Sequence, residues 1–214
     1  MKGILFDLDG TLIDSMKIWE SLDKQFVESR GLLYDPKSTE ELKAIGLNDA
    51  PAYFNEVYDM NVTLDDMLDF MYETLDDHYS HKFPLKEGVY DKLIELEKLG
   101  YKMCITTATA SSLAMKAVDR LELGRFMEFV LTPDIADCEK GDLKFFDIAV
   151  KKLGTKPEDT YVFDDALYAL ENAVQLGLIP VGIEDDSTAE QKNEIIAISK
   201  IYLESFNDLD VSRL

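Results

Sequence analysis

The chain has 214 residues, of which 43 are acidic and 22 are basic, so its formal net charge at pH 7 is −21. Hydrophobic residues make up 46% of the sequence, enough for a buried core, which excludes a disordered chain. The negative charge argues against nucleic acid or an anionic membrane surface as a partner, and no apolar run is long enough to span a membrane. Two cysteines and no signal-like N-terminus indicate a reduced, cytoplasmic location, with a monomer as the default expectation.

Short apolar segments alternate with helical patterns over most of the chain. We predict strands at Gly3–Phe6, Tyr101–Thr106, Met127–Leu131, Thr160–Phe163, Ile179–Gly182 and Ile201–Leu203. Four helices between these strands are expected to end at Gly100, Gly124, Gly154 and Gly177. This alternation predicts an α/β fold with a Rossmann-like, mainly parallel sheet, because the strands carry consecutive apolar residues and need helices on both faces.

Residues 15–83 break the alternation, since they contain no convincing strand. Apolar residues recur at helical spacing in 16–30 and in 64–79, and Thr63 with Asp66 forms a capping-box variant before the second of these helices. We therefore predict an α/β core made of residues 1–14 and 84–214. An all-helical domain, residues 15–83, is inserted into this core after the first strand.

Polar side chains follow the predicted strands at the edge where an open parallel sheet binds its ligands. The first strand is followed by Asp7 and Asp9, and the fourth by Asp164 and Asp165. Four carboxylates from two strand ends cannot lie together in ionised form without a cation. Ligand sets made only of oxygen favour Mg²⁺, so the sequence predicts a magnesium site at this edge.

The segment Phe6–Leu12, with the sequence FDLDGTL, resembles the first motif of the haloacid dehalogenase-like (HAD) superfamily. Thr107, Lys140 and the pair Asp164-Asp165 follow in the order of the three other motifs of that superfamily. Alignment back from Leu153-Gly154 favours Lys140 over Lys144 as the motif lysine. The helical insertion after the first motif resembles the cap of the β-phosphoglucomutase and phosphoglycolate phosphatase branch.

This resemblance implies a Mg²⁺-dependent phosphatase that hydrolyses a small phosphorylated metabolite. Asp7 would be the nucleophile that forms an aspartyl-phosphate, and Asp9 would be the general acid and then the general base. The ion would be held by Asp7, by the backbone carbonyl of Asp9 and by Asp165. Asp164 would bind it directly or through a water molecule.

The phosphate group would be held by Thr107 and by backbone amides that include Ala108, with Thr106 as the alternative to Thr107 one residue earlier. Lys140 would neutralise charge on the phosphate and on Asp7. Ser15 and Trp19, at the start of the inserted domain, are candidates for substrate specificity. For Trp19, packing inside the helical domain is an equally good interpretation.

Two other functions compete with simple hydrolysis. A sugar-phosphate mutase of the same branch would have a cap histidine where this chain has Trp19 and a cap arginine near Leu47, so both positions argue against it. A phospho-accepting signalling module also combines acids, threonine, lysine and Mg²⁺ on a parallel sheet, but its motifs come in a different order and it has no inserted domain.

Two further features have ordinary structural interpretations. Asp185 and Asp186 follow the fifth predicted strand and are interpreted as a solvated loop. Cys104 lies inside a predicted strand and is interpreted as an inert buried thiol.

Overall fold

The computed structural model describes residues 2–214, which form two compact units. The sheet unit includes the chain up to Met16 and again from Tyr79 to Leu214, and the helical unit is Lys17–His78. The contacts of residues 79–83 place them in the sheet unit. The sequence patterns assign them to the inserted domain.

The sheet unit contains one parallel sheet of six strands in the order β3-β2-β1-β4-β5-β6. The strands are β1 (Gly3–Phe6), β2 (Lys102–Thr106), β3 (Val130–Leu131), β4 (Thr160–Asp164), β5 (Ile179–Ile183) and β6 (Ile201–Leu203). The prediction of a parallel, Rossmann-like α/β fold is confirmed. The prediction for β3 is too long, because Met127–Phe129 lie outside the strand.

Both faces of the sheet are buried, which explains the consecutive apolar residues in its strands. Leu5 lies level with Cys104 on β2 and with Val162 on β4, and these three side chains belong to one buried cluster. The next residue, Phe6, faces the other way, with its ring 4.9 Å from that of Phe163 and 6.4 Å from that of Phe206. Side chains of consecutive strand residues point to opposite faces, so each strand contributes to a separate core on each face of the sheet.

The helical unit has its own core. Its helices, whose first and last cross the unit boundaries, are α1 (Met16–Trp19), α2 (Leu22–Glu28), α3 (Lys37–Ala44), α4 (Ala50–Tyr58) and α5 (Leu64–His81). Phe26 packs against Phe54 and Phe70, with ring centroids 5.3 Å apart in both pairs. The capping box before α5 is present, since the Asp66 amide donates to Thr63 Oγ1 and the Thr63 amide donates to Asp66 Oδ2. The sequence patterns predicted only two helices for this segment and missed α3 and α4.

The helices of the sheet unit are α6 (Val89–Lys98), α7 (Ser111–Arg120), α8 (Pro133–Ala136), α9 (Leu143–Leu153), α10 (Leu167–Gln175) and α11 (Lys192–Ile198). Gly100, Gly154 and Gly177 follow α6, α9 and α10 with positive φ, as predicted for helix ends. The prediction for Gly124 is wrong. It lies inside a 3₁₀ turn, and the left-handed residue after α7 is Glu122, with φ 55°.

The two chain segments that lead into and out of the insertion pair with each other inside the sheet unit. Ile13 and Leu85 form an antiparallel bridge, the Asp14 amide donates to the Pro84 carbonyl, and the Lys86 amide donates to the Leu12 carbonyl. We call residues 12–14 and 84–86 the clasp. Because of the clasp, the insertion starts and ends at one place.

Across residues 2–214, no helix is both long enough and apolar enough to cross a bilayer.

A buried and a half-exposed residue of α10 give a matched test of the core. Leu170 is fully buried against the sheet, whereas Val174 on the same helix is half exposed. We expect Leu170→Ala to lower the free energy of unfolding by about 3–5 kcal/mol, because it leaves a cavity, and Val174→Ala to change it by less than about 0.5 kcal/mol. Urea unfolding followed by circular dichroism measures both, and similar losses would contradict this description of the sheet core.

Candidate active site

The register of the central strands brings the predicted site residues to one edge of the sheet. Phe6 on β1 lies level with Ile105 on β2 and with Phe163 on β4. The next residue, Asp7, therefore lies beside Asp164, and its amide donates to the Phe163 carbonyl at 2.9 Å. In this strand order β1 and β4 flank the point where the connections change direction, which is where open α/β sheets bind ligands.

Lys140 lies between two carboxylates at this edge. Its Nζ atom is 2.6 Å from Asp7 Oδ1 and 2.7 Å from Asp164 Oδ2, and all three side chains are buried. The contact with Asp164 is an ion pair, and the other oxygen of that carboxylate, Oδ1, accepts from the Ala166 amide at 3.0 Å. Lys144, the alternative lysine, is exposed.

The charges in this cluster are not balanced. Asp7, Asp164 and Asp165 offer carboxylate oxygens that all lie within 4.8 Å of one another, and Lys140 is the cation that faces them. Burial raises the pKa of Asp7 well above its ordinary value, against the charge of Lys140. Burial and the neighbouring charge of Asp164 raise the pKa of Asp165 to about 7. Burial alone would lower the pKa of Lys140, but Asp164 and Asp7 raise it well above the ordinary value. The cluster is therefore short of positive charge.

This shortage of positive charge fits a divalent cation. The donors are all carboxylate oxygens, which suit a hard ion such as Mg²⁺. Thr11 donates from Oγ1 to Asp165 Oδ1 at 3.0 Å and orients that carboxylate. Gly10, with φ 79°, lies so close to Asp165 that a Cβ atom at residue 10 would be 2.5 Å from Asp165 Oδ2.

The Asp9 carboxylate is held by three hydroxyl groups and is not part of the cluster of Asp7, Asp164 and Asp165. Ser15 and Tyr79 donate to Asp9 Oδ1 at 2.7 and 2.5 Å, and Thr109 donates to Asp9 Oδ2 at 2.7 Å. The sequence patterns assigned Tyr79 to the apolar stripe of a cap helix, and Thr109 was not singled out. The sequence held one indication of this contact: Tyr79 lies on an apolar stripe, and a buried phenol needs a hydrogen-bond partner.

The two threonines at the end of β2 lie in different surroundings. Thr106 is the last strand residue, and its hydroxyl is 3.4 Å from the Phe6 carbonyl inside the sheet. Thr107 follows the strand, and its amide donates to the Leu131 carbonyl while its hydroxyl accepts from the Thr109 amide. Thr107 therefore begins the loop at the site edge, and the exposed Ala108 continues it.

The loop that carries Lys140 is anchored from α10. The side-chain amide of Asn172 donates to the Gly141 carbonyl at 2.8 Å, and Asn172 is buried. The sequence patterns counted Asn172 as part of an ordinary helix and missed this contact. A polar residue beside the apolar positions Leu170 and Ala173 was the available signal.

Trp19 belongs to the helical unit, where it lines a cleft of about 580 Å³ together with Leu47, Phe26 and Phe54. Glu20 and Asp23 are the charged residues among those that line it. Ser15, the other specificity candidate, is fully buried in the sheet unit.

Two remaining predictions have different outcomes. The interpretation of Asp185 as solvated is wrong, because its side chain is only 8% exposed and pairs with Lys86 Nζ at 2.7 Å. Burial opposes ionisation of Asp185, but hydrogen bonds from Lys86 and Ser187 lower its pKa below the ordinary value. Asp186 is exposed, and Cys104 is a buried free thiol whose pKa is raised by burial.

Because Asp165 lies so close to Gly10, we expect alanine to destabilise the protein more at Gly10 than at Gly177. Gly10 and Gly177 both have positive φ, but a Cβ atom at Gly177 would meet nothing within 4 Å. We expect Gly177→Ala to cost about 1 kcal/mol of stability, and Gly10→Ala to cost about 1–3 kcal/mol more because Asp165 must move. Thermal unfolding of both variants tests this, and equal losses would show that Asp165 is not tightly packed on Gly10.

Comparison with known proteins agrees with this geometry. Residues 4–183 match the haloacid dehalogenase-like hydrolase family. The phosphorylated carbohydrates phosphatase of Thermotoga maritima is 21% identical over 178 residues, covering 83% of this chain and 82% of that protein. The glyceraldehyde 3-phosphate phosphatase of Pyrococcus furiosus is 29% identical over 202 residues, covering 89% and 83%.

Among solved structures, CbbY from Rhodobacter sphaeroides in complex with phosphate superposes with a TM-score of 0.76 at 19% identity. The match covers 98% of this chain and 96% of that one, and it shows a common fold. The family and the enzyme class predicted from the motifs are confirmed. The chain belongs to the haloacid dehalogenase-like hydrolase family.

Proposed function

We propose that the chain is a Mg²⁺-dependent phosphatase that hydrolyses a small phosphoric monoester through an aspartyl-phosphate on Asp7. The observation that carries the proposal is the buried group of Asp7, Lys140, Asp164 and Asp165, with three carboxylates facing one ammonium group. The relatives support the substrate class, because both are named as phosphatases of small phosphorylated compounds.

The first half of the proposed reaction transfers the phosphoryl group to Asp7. A carboxylate oxygen of Asp7 attacks phosphorus, the bond from phosphorus to the ester oxygen breaks, and Asp9 gives its proton to the departing oxygen. Lys140 holds Asp7 in place through the contact at 2.6 Å, and its charge favours the ionised carboxylate that burial disfavours. Thr107 and the amide of Ala108 would donate hydrogen bonds to the phosphate oxygens.

The second half returns the enzyme to its starting state. Asp9 takes a proton from water, the water oxygen attacks phosphorus, and the bond to Asp7 breaks to give inorganic phosphate. Asp7, Asp165 and the carbonyl of Asp9 would hold Mg²⁺, with Asp164 as a direct or water-mediated ligand. When bound, the ion neutralises charge on the cluster and on the transferring phosphoryl group.

We further propose that the helical unit acts as a cap that selects the substrate, with Trp19 as a contact for the part of the ester that leaves. The support is the cleft that Trp19 lines, which is apolar apart from Glu20, Asp23 and Thr39. Ser15 does not fit a direct substrate contact well, because its hydroxyl is engaged by Asp9.

A panel of phosphate monoesters assayed with Mg²⁺ tests the reaction. We expect phosphate release that stops on addition of EDTA and falls by at least about 10⁴-fold in Asp7→Asn, since the variant lacks the nucleophile. Release that persists in Asp7→Asn would contradict the assignment of Asp7. A stable aspartyl-phosphate without turnover would favour the signalling alternative, and isomerisation of a hexose 1-phosphate with a bisphosphate activator would favour a mutase.

The same variant carries its own folding control. Because burial disfavours the ionised form of Asp7, Asp7→Asn removes an unfavourable charge from the metal-free protein. We expect its free energy of unfolding in EDTA at pH 7 to rise, while Lys140 keeps Asp164 as an ion-pair partner. A loss of activity together with this gain in stability excludes unfolding as the cause.

The cap proposal predicts a change of preference for Trp19→Ala. The ratios of kcat/KM among the esters of the panel should change by about 10-fold, because a contact with the leaving part of the substrate is lost. Tyr72→Ala is the matched control, since Tyr72 is an exposed aromatic residue of the helical unit that does not line the cleft. Unchanged ratios in Trp19→Ala would contradict a role for this residue in specificity.

A further inference from the structure

The hydroxyl groups around Asp9 occupy its two oxygens unequally. Oδ1 accepts two hydrogen bonds, from Tyr79 at 2.5 Å and from Ser15 at 2.7 Å. Oδ2 accepts one, from Thr109 at 2.7 Å. A carboxylate oxygen has two lone pairs in its plane, so the described residues occupy both positions on Oδ1 and leave one position on Oδ2.

From this we infer that Tyr79 is a positioning residue that makes Oδ2 the oxygen of Asp9 through which the proton is transferred. The inference rests on the proposed function, in which Asp9 protonates the leaving oxygen. A proton on Oδ1 would have to displace Tyr79 or Ser15, whereas a proton on Oδ2 fits beside Thr109. The network therefore selects one proton position on a side chain that would otherwise have two equivalent ones.

The surroundings of Tyr79 fix the position of its hydroxyl group. Its side chain is fully buried, and its ring packs edge-on against Phe83 with centroids 5.0 Å apart. Arg120 fixes the backbone on either side, since Nε donates to the Tyr79 carbonyl at 3.1 Å and Nη2 donates to the Phe83 carbonyl at 2.6 Å. The phenol thus reaches Asp9 from an anchored segment, and it cannot turn away without leaving its packing.

Ser15 approaches the same oxygen from the other end of the insertion. The N-terminal part of the sheet unit ends at Met16, one residue after Ser15. The chain re-enters that unit at Tyr79. Both segments that connect to the helical unit therefore hold Oδ1, and neither holds Oδ2. Thr109, which holds Oδ2, comes from the loop after β2.

The dependence of kcat/KM on the leaving group of the ester distinguishes a positioning role of Tyr79 from a merely structural one. Proton donation matters for an alkyl phosphate, whose leaving oxygen is strongly basic, and hardly matters for 2,4-dinitrophenyl phosphate. We define the ester ratio as kcat/KM for an alkyl phosphate of the panel divided by kcat/KM for 2,4-dinitrophenyl phosphate. Because both values come from one preparation, the ratio does not depend on the fraction of the variant that is folded.

We expect Tyr79→Phe to lower the ester ratio by about 10- to 100-fold, part of the 10²- to 10⁴-fold that a general acid contributes. Ser15→Ala should lower the ratio in the same direction, because it also frees a lone pair on Oδ1. Tyr161→Phe is the matched control, since it removes a phenol hydroxyl from a buried tyrosine of the sheet that has no contact with Asp9, and its ratio should equal that of the wild type.

Three results would overturn the inference, and they distinguish its own failure from the failure of the proposed function. If Asp9→Asn lowers the ester ratio and Tyr79→Phe does not, Asp9 is the acid but Tyr79 does not position it, and the proposed function stands. If Asp9→Asn leaves the ratio unchanged, or if the wild type hydrolyses neither ester, the proposed function fails and the role of Tyr79 fails with it.

Discussion

Most of the site depends on one electrostatic constraint, the confinement of three carboxylates at the end of a buried sheet. Asp7, Asp164 and Asp165 come from the ends of two neighbouring strands, and the parallel register leaves them no room to separate. Lys140 offsets part of their charge, and the raised pKa of Asp7 shows that the offset is incomplete. The sheet thus makes an edge with unbalanced charge, and in the proposed function a cation and a phosphate would complete it.

That constraint also explains why a chain with a net charge of −21 can handle an anionic substrate. Attraction does not need a basic surface, because the positive charge that meets the phosphate is local. In the proposed function it would consist of Lys140, backbone amides at the strand ends, and an ion held by the acids. The long-range repulsion between the negative protein and an anionic substrate has to be weaker than these contacts. This repulsion is screened over about 10 Å at ordinary ionic strength.

The sheet and the motif residues could be predicted from the sequence because both depend on short-range patterns. Strands covered on both faces have consecutive apolar residues, and polar residues directly after them must lie at one edge. Asp7 and Asp164 were predictable in this way. The contacts of Tyr79 with Asp9 and of Asn172 with Gly141 were not, because they join residues that are 70 and 31 positions apart, and nothing in the local pattern indicates the partner.

The helical unit was the least predictable part for a related reason. α3 and α4 are short, and α4 begins next to a proline, so their periodicity is too brief to stand out. The division between the units was also misplaced by a few residues, since Tyr79–Phe83 continue a helical pattern while their contacts are with the sheet unit. Composition and periodicity report local structure, and they say little about which core a side chain joins.

The clasp between residues 12–14 and 84–86 has a consequence for how such chains can change. The ends of the insertion are paired within the sheet unit, so the segment between them is a closed loop whose closure entropy grows only with the logarithm of its length. Lengthening or shortening that loop therefore changes its closure entropy only slightly. Descendants of one core can therefore acquire new inserted domains while the sheet is kept, provided that Ser15 and Tyr79, which hold Asp9 from the two ends of the loop, are kept as well.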